Sequence, residues 1–141
     1  MNMNSTRTCL SALVITLAVC AGTAASARPL GPVDIGPGAE ACAPDRSDPV
    51  RGLVFVGGSK GGAAFARHAA RKACAVGFAA LALPYWRSER LPPALERIEL
   101  NRFDSAISAF GALDFVDAGA VGFVGYSRGS QAALLTVADN L

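Results

Sequence analysis

The sequence predicts an α/β fold, a doubly wound sheet with mostly parallel strands, on three observations. Three short apolar runs, 53–56, 78–83 and 121–124, are each stopped by Gly or Pro, and patterns of helical spacing follow each of them. A run that is apolar throughout fits a strand buried on both faces, and regular strand–helix alternation is the signature of such a sheet. The third observation is the join between the last run and its helix, Gly125-Tyr126-Ser127-Arg128-Gly129. Composition agrees. The 141 residues are 52% hydrophobic and 17% charged, too apolar and too weakly charged for a disordered chain.

The N-terminus reads as an export signal. Arg7 precedes an apolar stretch from Leu10 to Cys20, and small residues follow as far as Ala25-Ser26-Ala27. Residues 1–27 are therefore expected to be a signal peptide cut before Arg28, which makes the mature protein secreted or periplasmic. A membrane anchor needs roughly 20 continuous apolar residues, and Ser11, Thr16, Gly22 and Thr23 break the stretch. No stable membrane anchor is expected after cleavage. A lipoprotein reading at Cys20 is disfavoured because Val19, directly before it, is not small.

Residues 28–50 hold Pro29, Gly31, Pro32, Gly36, Pro37, Gly38, Pro44 and Pro49 and read as an extended, mostly irregular lead-in. Residues 51–141 are expected to form the α/β unit. Cys42 and Cys74 are the two cysteines left after cleavage. They either form one disulfide in an oxidising compartment or, the favoured alternative, Cys74 is a free thiol buried on a core helix. There is no CxxC pair or His cluster, so no metal is expected.

Leu53 to Val56 reads as the first strand of that unit. Ala63 to Ala75 is helical, with Phe65, Ala69, Ala73 and Val76 near one face and Gly77 at the C-terminal cap. Phe78 to Leu83 is the next strand, and Pro84, Pro92 and Pro93 make the following segment a loop. Asn101 to Ala112 spaces Phe103, Ala106, Ile107 and Phe110 as a helix does, with Asn101 as a plausible cap residue. The run Val121 to Val124 then enters the Gly-x-Ser-x-Gly turn, and helical composition resumes at Gln131.

A Gly-x-Ser-x-Gly sequence between a strand and a helix is the setting of a nucleophile elbow. Small residues two before and two after Ser127 relieve collisions at a sharp, strained turn, and the Arg128 amide is left at a helix N-terminus to meet a developing oxyanion. The partner amide is expected from the loop after an earlier strand. Gly57-Gly58-Ser59-Lys60-Gly61-Gly62 stands there, and its donor is Gly58 or Ser59. A phosphate loop and a merely tight turn are the other readings, although the spacing fits neither phosphate-binding glycine motif.

Together these segments resemble the C-terminal catalytic domain of acyl-CoA thioesterases and bile-acid-CoA:amino-acid N-acyltransferases, which belong to the α/β-hydrolase superfamily. The resemblance runs from about Arg51 to Leu135. It is carried by 53–62, by Gly77-Phe78-Ala79-Ala80-Leu81-Ala82-Leu83-Pro84-Tyr85, by Leu91-Pro92, by 98–103 and by 121–129. It implies an α/β-hydrolase fold in which Ser127 is the acyl-accepting nucleophile and the amides near Gly58, Ser59 and Arg128 hold the oxyanion. In that family Ser at the elbow accompanies thioester hydrolysis, whereas the conjugating members carry Cys.

The expected function is that of an exported serine hydrolase acting on small-molecule acyl esters or thioesters through an acyl-serine intermediate, without a cofactor. Net charge is only +2 and the basic residues are scattered, so no nucleic-acid partner is expected. Tyr85 and Trp86, with Arg87 and Arg90, follow the second strand at the end of the sheet where ligands bind. They either line the acyl pocket or cover the sheet edge. In these enzymes an acid and then a His follow the nucleophile, yet Asp139 is the one acid after Ser127 and the single histidine, His68, lies before it. The chain is therefore expected to be an incomplete domain that lacks the triad Asp and His, is inactive alone and leaves an exposed sheet edge. The alternative is a non-catalytic relic or binding module.

Overall fold

The computed structural model describes residues 27–59, 62–87, 91–93 and 98–139. Most of the expected signal segment, and Lys60, Gly61 and Arg90, lie outside the described residues. The described chain is a mixed α/β unit: β1 (Gly31–Pro32), β2 (Glu40–Cys42), β3 (Val50–Val56), α1 (Gly62–Ala75), β4 (Ala79–Ala82), α2 (Asn101–Gly111), β5 (Val116–Gly125) and α3 (Arg128–Asp139). The five strands form one sheet in the order β1-β2-β4-β3-β5. β4 and β5 both run parallel to β3, while β1–β2 and β2–β4 are antiparallel.

Alternation along β3 explains why its run is apolar throughout. Val54 and Val56 join Leu81, Leu83, Phe103 and Phe110 on the face covered by α2 and α3, and Phe55 joins Ala66, Ala70, Ala80 and Ala82 under α1. With helices on both faces, both sets of side chains are removed from water.

The lead-in differs from its expectation. It contributes β1 and β2, extended by a bridge between Ala27 and Pro44. The prolines do not forbid this, because strands this short at the antiparallel edge leave few ladder N–H groups to supply. The face of α1 also differs: Ala66, Ala70, Ala73 and Cys74 are buried while Val76 is 74% exposed. Ala80 and Ala82 of β4 lie opposite this helix, so the contact is alanine against alanine and needs no large side chain. Gly77 does close α1 with φ +101°, and the Phe78 amide donates to Ala73 O at 3.1 Å.

α2 begins without the expected Asn101 cap. Leu100 occupies the cap position with helical dihedrals and no side-chain cap bond, and packs against the core. β5 starts earlier than the 121–124 run. Val50 and Arg51 pair with Val116 and Asp117, then the register jumps so that Gly52 faces Val121. The extra residues form a bulge in which the Gly119 amide donates to Asp117 Oδ1 at 3.1 Å. Among the described residues β5 pairs only with β3, leaving its other side as an open edge.

The expectation of a free Cys74 thiol is corrected: Cys42 and Cys74 are joined in a disulfide. Antiparallel pairing with β4 sets Cys42 opposite Ala80, on the sheet face beneath α1, with its Cα 6.1 Å from that of Cys74. An ion pair between Arg67 of α1 and Glu40 of β2 ties the same two elements. The bridge closes a separation of 32 residues, a loop for which chain entropy gives about 4 kcal/mol of stabilisation. Replacing both cysteines by Ser is expected to remove most of that in urea unfolding, and an unchanged midpoint would show that the bridge does not restrain the unfolded chain.

Candidate active site

β5 ends at Gly125 and α3 begins at Arg128, so the chain reverses within Tyr126 and Ser127. Ser127 has φ +54°, in the left-handed region. An L-residue with a Cβ adopts that conformation only when its surroundings impose it, at a cost of about 1–2 kcal/mol. The surroundings are hydrogen bonds on both sides. The Tyr126 amide donates to Val56 O at 3.1 Å, the Gly129 amide to Tyr126 O at 2.9 Å, and the Ser130 amide to Ser127 O at 2.9 Å. The Ser130 hydroxyl donates to Gly125 O at 2.8 Å.

The two motif glycines are required by space. A Cβ on Gly125 would overlap the Gly129 carbonyl, and one on Gly129 would stand 2.6 Å from both Val56 O and Gly57 O. Backbone lies against backbone at both positions, and neither neighbour can rotate away. The same crowding brings the Gly-rich loop to the serine: a Cβ on Gly58 would stand 2.8 Å from Ser127 Cβ and 3.3 Å from Ser127 Oγ.

The loop is held from its far side. Tyr85, buried, donates its hydroxyl to Gly57 O at 2.8 Å, and Trp86 Nε1 approaches Gly58 O at 3.4 Å. In a trans peptide the next N–H points opposite to the carbonyl, so the amides of Gly58 and Ser59 point away from these two side chains. The Arg128 amide opens α3, where the first N–H groups have no acceptor within the helix. Of the residues named from the sequence, the structure brings Gly58 against Ser127 where β3, β5 and α3 converge, with Ser59 and Arg128 next to them along the chain.

Tyr85 and Trp86 do not play equal parts. Tyr85 meets Phe103 in a tilted ring contact, centroids 5.6 Å apart, and borders a cavity of about 200 Å³ beside the start of α3. Trp86 is not among that cavity's lining residues and instead carries the Arg87 guanidinium 5.7 Å from its ring. The sequence reading missed the cavity's other walls, Ile98, Leu100 and Leu135, and its polar member Gln131, and it named Arg128 for its backbone amide and not for its side chain. The spacing of Arg128 and Gln131, three apart on a helix, was the available signal.

Burial pushes the Tyr85 phenol above its ordinary value of 10.0, and the Arg128 guanidinium partly offsets this. No described side chain hydrogen-bonds the Ser127 hydroxyl, which is exposed at the turn. His68 is exposed on α1, the helix that covers the other face of the sheet from α2 and α3. The chain matches no protein-family model and no curated protein.

Strain at the turn gives one prediction: Ser127→Gly should be more stable than Ser127→Ala by about 1 kcal/mol in chemical denaturation, and the reverse order would show that residue 127 is unstrained. Tyr85→Phe should cost about 1 kcal/mol near neutral pH by leaving Gly57 O without its donor. The unfolded phenol ionises near 10.0 and the folded one higher. Wild-type stability should therefore fall as pH rises from that value toward the folded one, a loss that the Phe variant lacks.

Proposed function

We propose that this chain carries the nucleophile and oxyanion hole of a serine hydrolase of the α/β-hydrolase fold, acting on acyl esters or thioesters. The observation that carries the reading is Ser127 at φ +54° in a two-residue turn between β5 and α3, packed against Gly58. The parallel arrangement of β3, β4 and β5 with helices on both faces supports the same fold. Idle serines in ordinary turns have no need of a left-handed backbone.

In this reading Ser127 Oγ attacks the carbonyl carbon. The Arg128 amide and the amide of Gly58 or Ser59 hold the oxygen as it becomes negative, and the alcohol or thiol departs to leave acyl-Ser127. Water then attacks the acyl group and restores the serine. The hydroxyl proton must pass to a base, and the triad order places that base after Ser127. The Cys42–Cys74 disulfide supports the export reading, because such bonds persist in oxidising compartments. No described helix is long and apolar enough to cross a membrane.

A non-catalytic relic or binding module is favoured by one observation, the absence of any described hydrogen-bond partner for the Ser127 hydroxyl. Chemical rescue separates the two. The chain is treated with an alkyl phosphonofluoridate with and without imidazole, which acts as an external base. Imidazole-dependent modification of Ser127, absent from Ser127→Ala, is the expected result. A folded protein that is unmodified at Ser127 at all imidazole concentrations contradicts catalysis and leaves the relic.

A further inference from the structure

We propose that the cavity beside the elbow recognises a short acyl group ending in a carboxylate, as in the monoester or monothioester of a dicarboxylic acid, with Arg128 as the residue that selects the anion. The assignment rests on the serine hydrolase reading of Ser127. Its cavity is lined largely by apolar residues, Ile98, Leu100, Phe103 and Leu135 among them, and Arg128 is the one charged residue among the described lining residues. Gln131, three residues on along α3, adds an amide to the same lining.

Three observations point to an anionic occupant. Arg128 makes no ion pair with a described residue, and no acidic residue is among the described residues that line the cavity. Its guanidinium acts electrostatically on the Tyr85 hydroxyl, another lining group, so its charge is felt inside the cavity. Its donor fork fits a carboxylate with two parallel bonds.

Size and position then select the acyl side. A space of about 200 Å³ holds roughly six or seven non-hydrogen atoms at the ~30 Å³ that a water molecule occupies in the liquid. A glutaryl chain beyond its reacting carbonyl is of that size. Arg128 directly follows the nucleophile, so one residue supplies a backbone amide toward the reacting oxygen and a side chain toward the far end of a short acyl chain.

The test is a binding titration on the whole chain, read from the backbone amide resonances of Gln131 and Leu135. The ligands are monomethyl glutarate, its isosteric neutral amide methyl glutaramate, and O-acetylglycolate, whose carboxylate sits on the leaving group. Monomethyl glutarate is expected to bind about tenfold tighter than the amide, as one charge-assisted pair allows. That advantage should shrink with added salt and vanish in Arg128→Gln, which keeps the backbone amide. Equal affinity for acid and amide, an advantage that survives in Arg128→Gln, or a preference for O-acetylglycolate would each overturn the proposal. The salt response of the wild-type chain decides the matter even where the variant folds poorly. Carboxylate preference without imidazole-rescued modification of Ser127 would sink the hydrolase reading and keep the anion site, whereas modification without the preference would sink the anion site alone.

Discussion

The structure depends on the close approach of two backbone segments, the end of β3 with its Gly57-Gly58 extension and the turn from β5 into α3. Gly129 lies against the carbonyls of Val56 and Gly57, and Gly58 lies against Ser127. With the Tyr126 amide bonded to Val56 O at 3.1 Å, the turn is fixed to the strand beside it. The left-handed conformation of Ser127 follows from this: a strand end, a helix start and a neighbouring loop leave no room for a wider turn. Burial of the two faces of β3 supplies the stability that the strain draws on.

The rest of the molecule reads as support for that approach. Tyr85 leaves β4 and bonds Gly57 O, so the position of the loop is set by a strand on its other side. Phe65 of α1 stacks on Tyr126 at 4.8 Å, covering the turn from the opposite face of the sheet. The disulfide and the Arg67–Glu40 pair fasten α1 to β2 and close the antiparallel end of the sheet. The β5 end is different. Its strand has an open edge among the described residues, and α3 exposes Leu134 at 71%, Leu135 at 53% and Val137 at 48%. Unpaired backbone beside exposed apolar side chains promotes association between chains.

The turn at Ser127 was legible in the sequence because its requirements are local. Gly125, Ser127 and Gly129 have a fixed spacing set by one turn, and the apolar run before them and the helical composition after them identify its flanks. β4 and the 53–56 part of β3 were legible for a similar reason, since burial on both faces leaves a run with no polar residue. What escaped depended on distant partners. β1 and β2 are two and three residues long, and only pairing with β4 makes strands of them. The Cys42–Cys74 bond needed that same pairing, which sets Cys42 under α1. α1 presents alanine to alanine, so hydrophobic periodicity misplaced its buried face toward Phe65 and Val76. Arg128 was read for its amide alone, and its side chain gained a role only when the 98–103 segment was seen to wall the neighbouring cavity.

The central claim is that the strained serine and the two loops around it are built to hold an oxyanion. A crystal structure of the chain phosphonylated at Ser127 tests this most directly, because the phosphonyl oxygen stands where the oxyanion would. The expected structure keeps Ser127 at positive φ and places that oxygen about 3 Å from the Arg128 amide and from the amide of Gly58 or Ser59. A phosphonyl oxygen facing solvent, with Ser127 relaxed to negative φ and neither amide in reach, would contradict it.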